Sequence, residues 1–293
     1  MKDSALLHLS LPALLYRTAP GRMILSLLVQ PKVSEAVGRF LSSGLSRGLV
    51  PYYIRKHGID MSDIEIPEKG FPSFNAFFTR KRKRECCDLT WGHLISPCDG
   101  FLTCTRVREN TVFSIKNTEF SLEDLLKNPA LAARFRNGTA LIFRLTPADY
   151  HRYCYAASGK ILYSRKIQGK LHCVRPIALR TLPVFVQNSR EYQVIGTEKF
   201  GLMVQMEVGA LLVGKIKNHR RSPGEDHVQG GGEKGYFEFG GSTIILLLEK
   251  DAIRFHEKLY ERQNTDGEMP VRKGEFIACV QTEGHLNVAE RMP

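Results

Sequence analysis

The sequence predicts an α+β protein: N-terminal amphipathic helices followed by a β-rich domain of mainly antiparallel strands. Three observations carry this. Apolar residues recur at helical spacing through the first 57 positions, broken by Pro20-Gly21 and Pro31. From about residue 92 the texture changes to short alternating or β-branched stretches set apart by Gly, Pro and Asn. Finally, strands and helices do not alternate regularly, which excludes a doubly wound parallel sheet. The division falls near residue 85, giving a helical region over 1–85 and a β-rich domain over 86–293. No internal repeat is visible.

The helical region is basic. Residues 1–60 hold eight Lys or Arg and three Asp or Glu. In the stretch after Pro31, Val33, Ala36, Val37, Phe40, Leu41 and Leu45 fall on one helical face. Such a stripe, with Arg and Lys among large apolar residues, suits a helix lying in a membrane interface, and equally one packed on a core. Next comes Ser73-Phe74-Asn75-Ala76-Phe77-Phe78-Thr79, followed by five consecutive basic residues, Arg80 to Arg84. That run reads either as a contact to phosphates or as a solvated charged turn. Strands are expected over 101–107, 111–115, 139–145, 160–167, 183–187, 191–197, 202–208, 211–217, 236–240 and 243–249. A helix is expected over 121–136, opened by a cap at Ser121. The glycine-rich stretch from Arg221 to Gly235 reads as a mobile loop.

Composition narrows the classes of function. The 293 residues carry a net charge of +12, with 43% hydrophobic residues, so the chain folds and favours an anionic partner. No apolar run reaches the roughly 18–20 residues of a spanning helix. The apolar stretch Leu6 to Tyr16 is interrupted by His8 and Pro12 and has neither a basic start nor a small-residue cleavage site, which argues against a secretory signal. Seven cysteines with no CxxC pair argue against a disulfide framework or a zinc site and for a reducing compartment. No aromatic interleaving or zinc-finger spacing supports nucleic-acid binding, so no nucleic acid is expected as partner.

Three segments offer chemistry. A strand-like stretch, Glu233 to Phe239, runs into Gly240-Gly241, presents Ser242, and continues as Thr243-Ile244-Ile245-Leu246-Leu247-Leu248. Glycines permit backbone angles that other residues resist, so the pair reads as a strained turn or as a simple hairpin bend. No Walker phosphate loop is present. Asp99 sits in Ser96-Pro97-Cys98-Asp99-Gly100, and His151 in Ala148-Asp149-Tyr150-His151-Arg152. Singly, Asp99 is an ordinary turn residue and His151 an ordinary hydrogen bonder; with Ser242 they supply the parts of an activated nucleophile.

The ordered set SFNAFFTR, ISPCDG, RLTPADYHR, FVQNSR (residues 185–190), GALLVGKI (209–216) and EKGYFEFGGST resembles the phosphatidylserine decarboxylase proenzymes over most of the chain. The resemblance implies self-cleavage between Gly241 and Ser242. Ser242 attacks the Gly241 carbonyl, and its remnant becomes a pyruvoyl group, a carbonyl electron sink that side chains lack. A β chain of 1–241 and an α chain of 242–293 result. The activity implied is decarboxylation of phosphatidylserine to phosphatidylethanolamine at an anionic membrane surface, on the cytoplasmic face as a peripheral protein, with the two chains forming a heterodimer and that unit a homodimer. The family's roles fall on Asp99 (orienting the processing base), His151 (recognition and proton transfer), Asp149 (orienting a neighbour) and Ser242, with no metal. In many members a second histidine, three residues after the motif histidine, is the cleavage base. Here Cys154 stands there, and a thiol with an ordinary pKa near 8.5 is a poorer base. Cys154 as thiolate, His151 in both roles, or His172 remain open as the base. So do an uncleaved lipid-binding relative and a hydrolase with a Ser242–His151–Asp99 triad, although no Gly-x-Ser-x-Gly elbow is present.

Overall fold

The computed structural model describes residues 31–281, apart from 116–117, 171, 173–183, 210–214, 223, 241 and 266, together with positions 18, 21 and 23. The helices expected before Pro31, Gly241, and most of the strand expected over 211–217 lie outside the described residues. The helical region contains α1 (Pro31–Ser42), a 3-10 turn (Gly44–Gly48), α2 (Leu49–His57) and α3 (Phe74–Phe78). Their ends follow local chemistry. Gly58 closes α2 in the left-handed region at φ 60°, beside Arg55, Lys56 and His57 at the negative end of the helix. Ser73 opens α3 by accepting the Ala76 amide. Among the described residues no helix is long and apolar enough to cross a membrane.

The strands in chain order are β1 (His93–Ile95), β2 (Gly100–Arg106), β3 (Val112–Ile115), β4 (Thr118–Ser121), β5 (Thr139–Leu145), β6 (Arg152–Cys154), β7 (Gly159–Ile167), β8 (Arg190–Thr197), β9 (Leu202–Gly209), β10 (Ile216–Asn218), β11 (His227–Val228), β12 (Glu233–Phe237), β13 (Ser242–Leu248), β14 (Ile253–Phe255), β15 (Met269–Val271) and β16 (Phe276–Val280). Eight form one antiparallel sheet in the order β11-β7-β8-β9-β13-β5-β2-β15. Two small sheets, β10-β12-β6 and β1-β16-β14, and the β3-β4 hairpin complete the strands. The α+β class with antiparallel pairing is therefore as the sequence predicts.

Three elements differ from the sequence reading. The helix over 121–136 is two short ones, α4 (Leu122–Leu126) and α5 (Pro129–Ala133), because Lys127 turns left-handed and Asn128 caps the second. Residues 184–187 form a helical turn, α6 (Val184–Gln187), rather than a strand. Phe185 is buried against Phe120 there, so packing overrides β propensity. The Arg221–Gly235 stretch is pinned rather than loose: β11 pairs with β7, Arg221 Nε donates to the Glu225 carbonyl at 2.7 Å, and the Gly231 amide to that of Tyr155 at 2.9 Å.

The central strand β13 explains the apolar run of its sequence. All seven of its residues are buried, because the sheet is covered on both faces. Ile245 and Leu247 pack with Phe113, Phe120, Leu125 and Met206. Ile244, Leu246 and Leu248 pack on the other side with Leu141, Phe143, Phe237 and Ile277. A third cluster joins the helical region to the sheet through Tyr53, Phe71, Phe74, Phe77 and Phe78, with Phe239 packed against them. Tyr53–Phe74, Phe74–Phe239 and Phe78–Phe239 meet edge-to-face at 4.9, 5.1 and 5.1 Å between centroids, a favoured aromatic geometry.

Candidate active site

Ser242 is the first residue of β13, between Leu145 on β5 and Gly209 on β9. Side chains at paired positions share a face, so Gly209 puts no side chain beside the serine. Just before it, Gly240 holds φ 143°, a backbone angle suited to glycine. The Ser242 hydroxyl lies fully buried, 3.3 Å from His151 Nδ1.

His151 is positioned by a turn. Thr146-Pro147-Ala148-Asp149 closes with the Asp149 amide donating to the Thr146 carbonyl at 3.1 Å, and proline at its second position presets the bend. Asp149 Oδ2 in return accepts the Thr146 amide at 2.5 Å. His151 Nε2 sits 3.0 Å from the same Thr146 carbonyl. A carbonyl only accepts, so Nε2 carries the proton and the Nδ1 lone pair faces the serine hydroxyl. Phe78 stacks on the imidazole, centroids 4.1 Å apart and planes at 29°. Burial pushes the His151 pKa down to about 3, with the Arg80 charge pushing the same way against the Thr146 hydrogen bond. The ring is a neutral base at ordinary pH.

Asp99 is elsewhere. Its carboxylate meets Arg82 at 2.5 and 3.2 Å and accepts the Lys273 amide at 2.9 Å. Among the described residues it has no hydrogen bond to His151 or Ser242, so a conventional triad is not assembled: the acceptor behind the imidazole is the Thr146 carbonyl. Asp149 holds the turn, and its carboxyl pKa is raised by burial against the Thr146 hydrogen bonds. Cys154 is buried with its thiol against the Pro97 and Ser96 carbonyls, at 3.6 and 3.9 Å. Its side chain also hydrogen-bonds to Cys87, which raises the Cys154 pKa well above its ordinary value, with burial adding to the effect. The same contact lowers that of Cys87 to about 7. The proton thus stays on Cys154. His172 is buried, with its amide donating to Asn188 Oδ1 at 2.9 Å.

Several contributors escape motif reading. Phe78 and Asn75 come from the helical region. Asn75 links Ser42 Oγ at 2.9 Å to the Phe239 amide at 3.3 Å, two residues before Gly241. Arg152 ties the Thr79 carbonyl at 2.8 Å to Glu233 at 2.7 Å. Glu207 and Lys234 form a fully buried ion pair on the Ser242 side of the sheet, and Asn218 donates to the same carboxylate at 3.3 Å. A motif-level signal existed for Asn75, Phe78 and Arg80, since SFNAFFTR stands out in the sequence without an evident task.

A buried serine hydroxyl facing the bare nitrogen of a neutral histidine, directly after two glycines in the sequence, is the arrangement expected of a class of chain able to act on its own backbone. Comparison with known proteins agrees. The family model for phosphatidylserine decarboxylase matches residues 74–279, over two-thirds of the chain. The chain is 39% identical to phosphatidylserine decarboxylase proenzyme 2 of Clostridium acetobutylicum, covering 90% of this chain and 89% of that one. It is 38% identical to the proenzyme of Ruminiclostridium cellulolyticum, covering 91% and 90%, and 38% identical to that of Clostridium perfringens, covering 89% and 90%. The chain belongs to the phosphatidylserine decarboxylase family.

Proposed function

We propose that this proenzyme cleaves itself between Gly241 and Ser242, with His151 as the base, and then decarboxylates phosphatidylserine to phosphatidylethanolamine. The observation that carries the reading is the 3.3 Å approach of His151 Nδ1 to Ser242 Oγ with Nε2 committed to Thr146. His151 takes the hydroxyl proton as the oxygen attacks the preceding carbonyl, and the Gly241–Ser242 amide gives way to an ester. Elimination then releases the Gly241 carboxylate and leaves dehydroalanine, whose hydrolysis frees ammonia and yields the keto group. His151 is placed to return a proton to that site later. A pyruvoyl group at position 242 supplies a carbonyl that draws off electrons as carbon dioxide leaves. The fit is supported by the buried position of Ser242 and by Gly209 opposite it, which leaves that flank without a side chain. Burial and the Phe78 stack exclude water around the reacting atoms. Asp149 orients His151 through Thr146, whereas Asp99 organises Arg82 and the Lys273 backbone at the neighbouring cleft.

After cleavage the α chain of 242–293 stays seated, since β13 is hydrogen-bonded to both β5 and β9 along its whole length. The αβ heterodimer follows from that pairing; its association as a homodimer rests on the family resemblance. The protein acts as a peripheral protein on the cytoplasmic face of an anionic membrane, a reading supported by exposed Phe40, Leu45, Leu49 and Tyr52 in the helical region.

One denaturing gel tests the core of the reading. Purified protein shows two fragments, 1–241 and 242–293, the smaller with a blocked N-terminus. Ser242→Ala leaves the full-length chain. A single 33.1 kDa band in a preparation that decarboxylates phosphatidylserine overturns the mechanism.

A further inference from the structure

Arg80, the last residue of SFNAFFTR, has no role in the chemistry above, yet it is the most conspicuous cation near the site. It is only 5% exposed. Its Nε and Nη1 are buried without a hydrogen-bond partner among the described residues. The guanidinium lies over the Phe77 ring at 5.0 Å and presses electrostatically on His151. Burying a guanidinium costs free energy that the Phe77 ring and the more distant Asp99 offset only in part, since among the described residues its head lacks the paired carboxylate that buried arginines ordinarily hold. Arg80 also lines a cleft of about 930 Å³ that reaches the Ala148–Tyr150 turn next to His151.

The cleft carries carboxylates, but those nearest the site are already engaged. Asp99 is held by Arg82 and the Lys273 amide, Glu85 by Lys273 and the Tyr150 hydroxyl, and Asp149 by the Thr146 amide. Of the cleft's cations that hold no ion pair among the described residues, Arg84 and Arg272 are exposed to solvent and Arg80 is the buried one, so an anion entering beside the turn meets a desolvated charge there. Building on the decarboxylase reading, we infer that Arg80 binds the phosphodiester of the substrate headgroup and thereby sets the headgroup's position against residue 242.

Two anions are available on such a headgroup, the carboxylate and the phosphodiester, and catalysis distinguishes them. The carboxylate leaves as neutral carbon dioxide, so an arginine paired with it holds the ground state more tightly than the transition state and slows the reaction. The phosphodiester keeps its charge throughout. An arginine there binds both states equally, and its fork matches two phosphate oxygens.

The test uses the uncleaved Ser242→Ala chain, full length, titrated calorimetrically with glycerophosphoethanolamine, which has the phosphodiester and no carboxylate. Binding is expected, together with a rise in thermal midpoint that ethanolamine does not produce. Adding Arg80→Gln weakens binding about 10- to 100-fold, the loss of a charge-assisted hydrogen bond, and adding Arg80→Lys weakens it less. In the cleaved Arg80→Lys enzyme, KM for dihexanoylphosphatidylserine rises more than kcat falls. Equal affinity in all three chains, or no binding by Ser242→Ala, overturns the assignment. Inorganic phosphate binding as tightly as the diester makes this a free-anion site and overturns the headgroup role. If the Gln variant does not fold, the Lys variant and the midpoint shift of Ser242→Ala still decide. A wild-type chain that neither cleaves nor decarboxylates refutes the proposed function separately, since the titration needs neither step.

Discussion

The role proposed for His151 rests on a constraint visible at the level of single atoms. A carboxylate behind the imidazole would stabilise its charged form; the Thr146 carbonyl fixes the tautomer with far less such help. Together with burial, this keeps the pKa near 3. The sign is then set: the base form dominates at every pH above about 3, so self-cleavage of the isolated proenzyme runs at a flat rate from pH 5 to 8. It does not fall through the ordinary histidine range near 6.5. Gel densitometry of cleavage against pH checks this, and a midpoint near 6.5 would contradict it. The same depressed pKa means the unfolded chain binds a proton the folded one does not, so stability is lost as pH falls below about 6.5 toward 3. His151→Ala slows cleavage by roughly 10²- to 10⁴-fold, the usual contribution of a general base, whereas Cys154→Ala cleaves at close to the parent rate. Cys87, half-buried, alkylates with iodoacetamide along a curve centred near pH 7. In Cys154→Ala that curve moves to higher pH, because the lost hydrogen bond favoured the Cys87 thiolate. Ser242, His151 and Asp149 were legible from motifs because their chemistry resides in their side chains. Thr146 was not, since it contributes a backbone carbonyl, and Phe78 was marked only as a member of SFNAFFTR, without its stacking role, since a stacking face has no sequence spacing.

At the scale of elements, the long strands were readable and the three-residue ones were not. The expected stretch 139–145 coincides with β5, and β13 is displaced by one residue, because both are apolar runs buried in the middle of a sheet. Strands as short as β1, β6 and β14 contain too few residues to show a period, and only their partners define them. The Glu207–Lys234 pair belongs to this scale, for it stitches β9 to β12, and β12 leads toward the proposed cleavage position. Both side chains are essentially inaccessible, at 0% and 1% exposure, and burial raises the Glu207 pKa against the pull of Lys234. Lys234→Met leaves Glu207 as a buried charge with Asn218 as its remaining hydrogen-bond donor among the described residues. The expected loss is about 3–5 kcal/mol of stability, measured by denaturant unfolding of the Ser242→Ala chain. Glu207→Leu added to Lys234→Met recovers most of that loss, since two apolar groups need no partner. If the double variant is no more stable than the single one, the pair has a role other than mutual neutralisation.

At the scale of the molecule, the net charge of +12 pointed to an anionic partner without saying which residues meet it. The basic run from Arg80 to Arg84 divides. Arg80 and Arg82 turn inward, to the cleft and to Asp99, while Lys81, Lys83 and Arg84 are exposed. Three charges, not five, are therefore available to a surface. The apolar stripe after Pro31 divides too: Leu41 is buried in the aromatic cluster, whereas Phe40 and Leu45 are 48% and 84% exposed. Patterning alone could not separate the two fates, because a helix shows the same spacing whether its apolar face meets protein or lipid. The exposed set, Phe40, Leu45, Leu49 and Tyr52, lies among Arg39, Arg47, Arg55 and Lys56, a mixture suited to an anionic interface. Flotation with vesicles separates the apolar from the electrostatic contribution. Lys81→Glu, Lys83→Glu and Arg84→Glu together weaken binding to phosphatidylserine-containing vesicles at low salt, by about 1 kcal/mol for each charge near the surface. They change binding to neutral vesicles little. Leu45→Asp with Leu49→Asp weakens binding to both kinds, and its effect survives high salt because apolar insertion is not screened. Wild-type binding that is equal on neutral and anionic vesicles and indifferent to salt would remove the electrostatic part and leave the helices alone to hold the protein at its lipid.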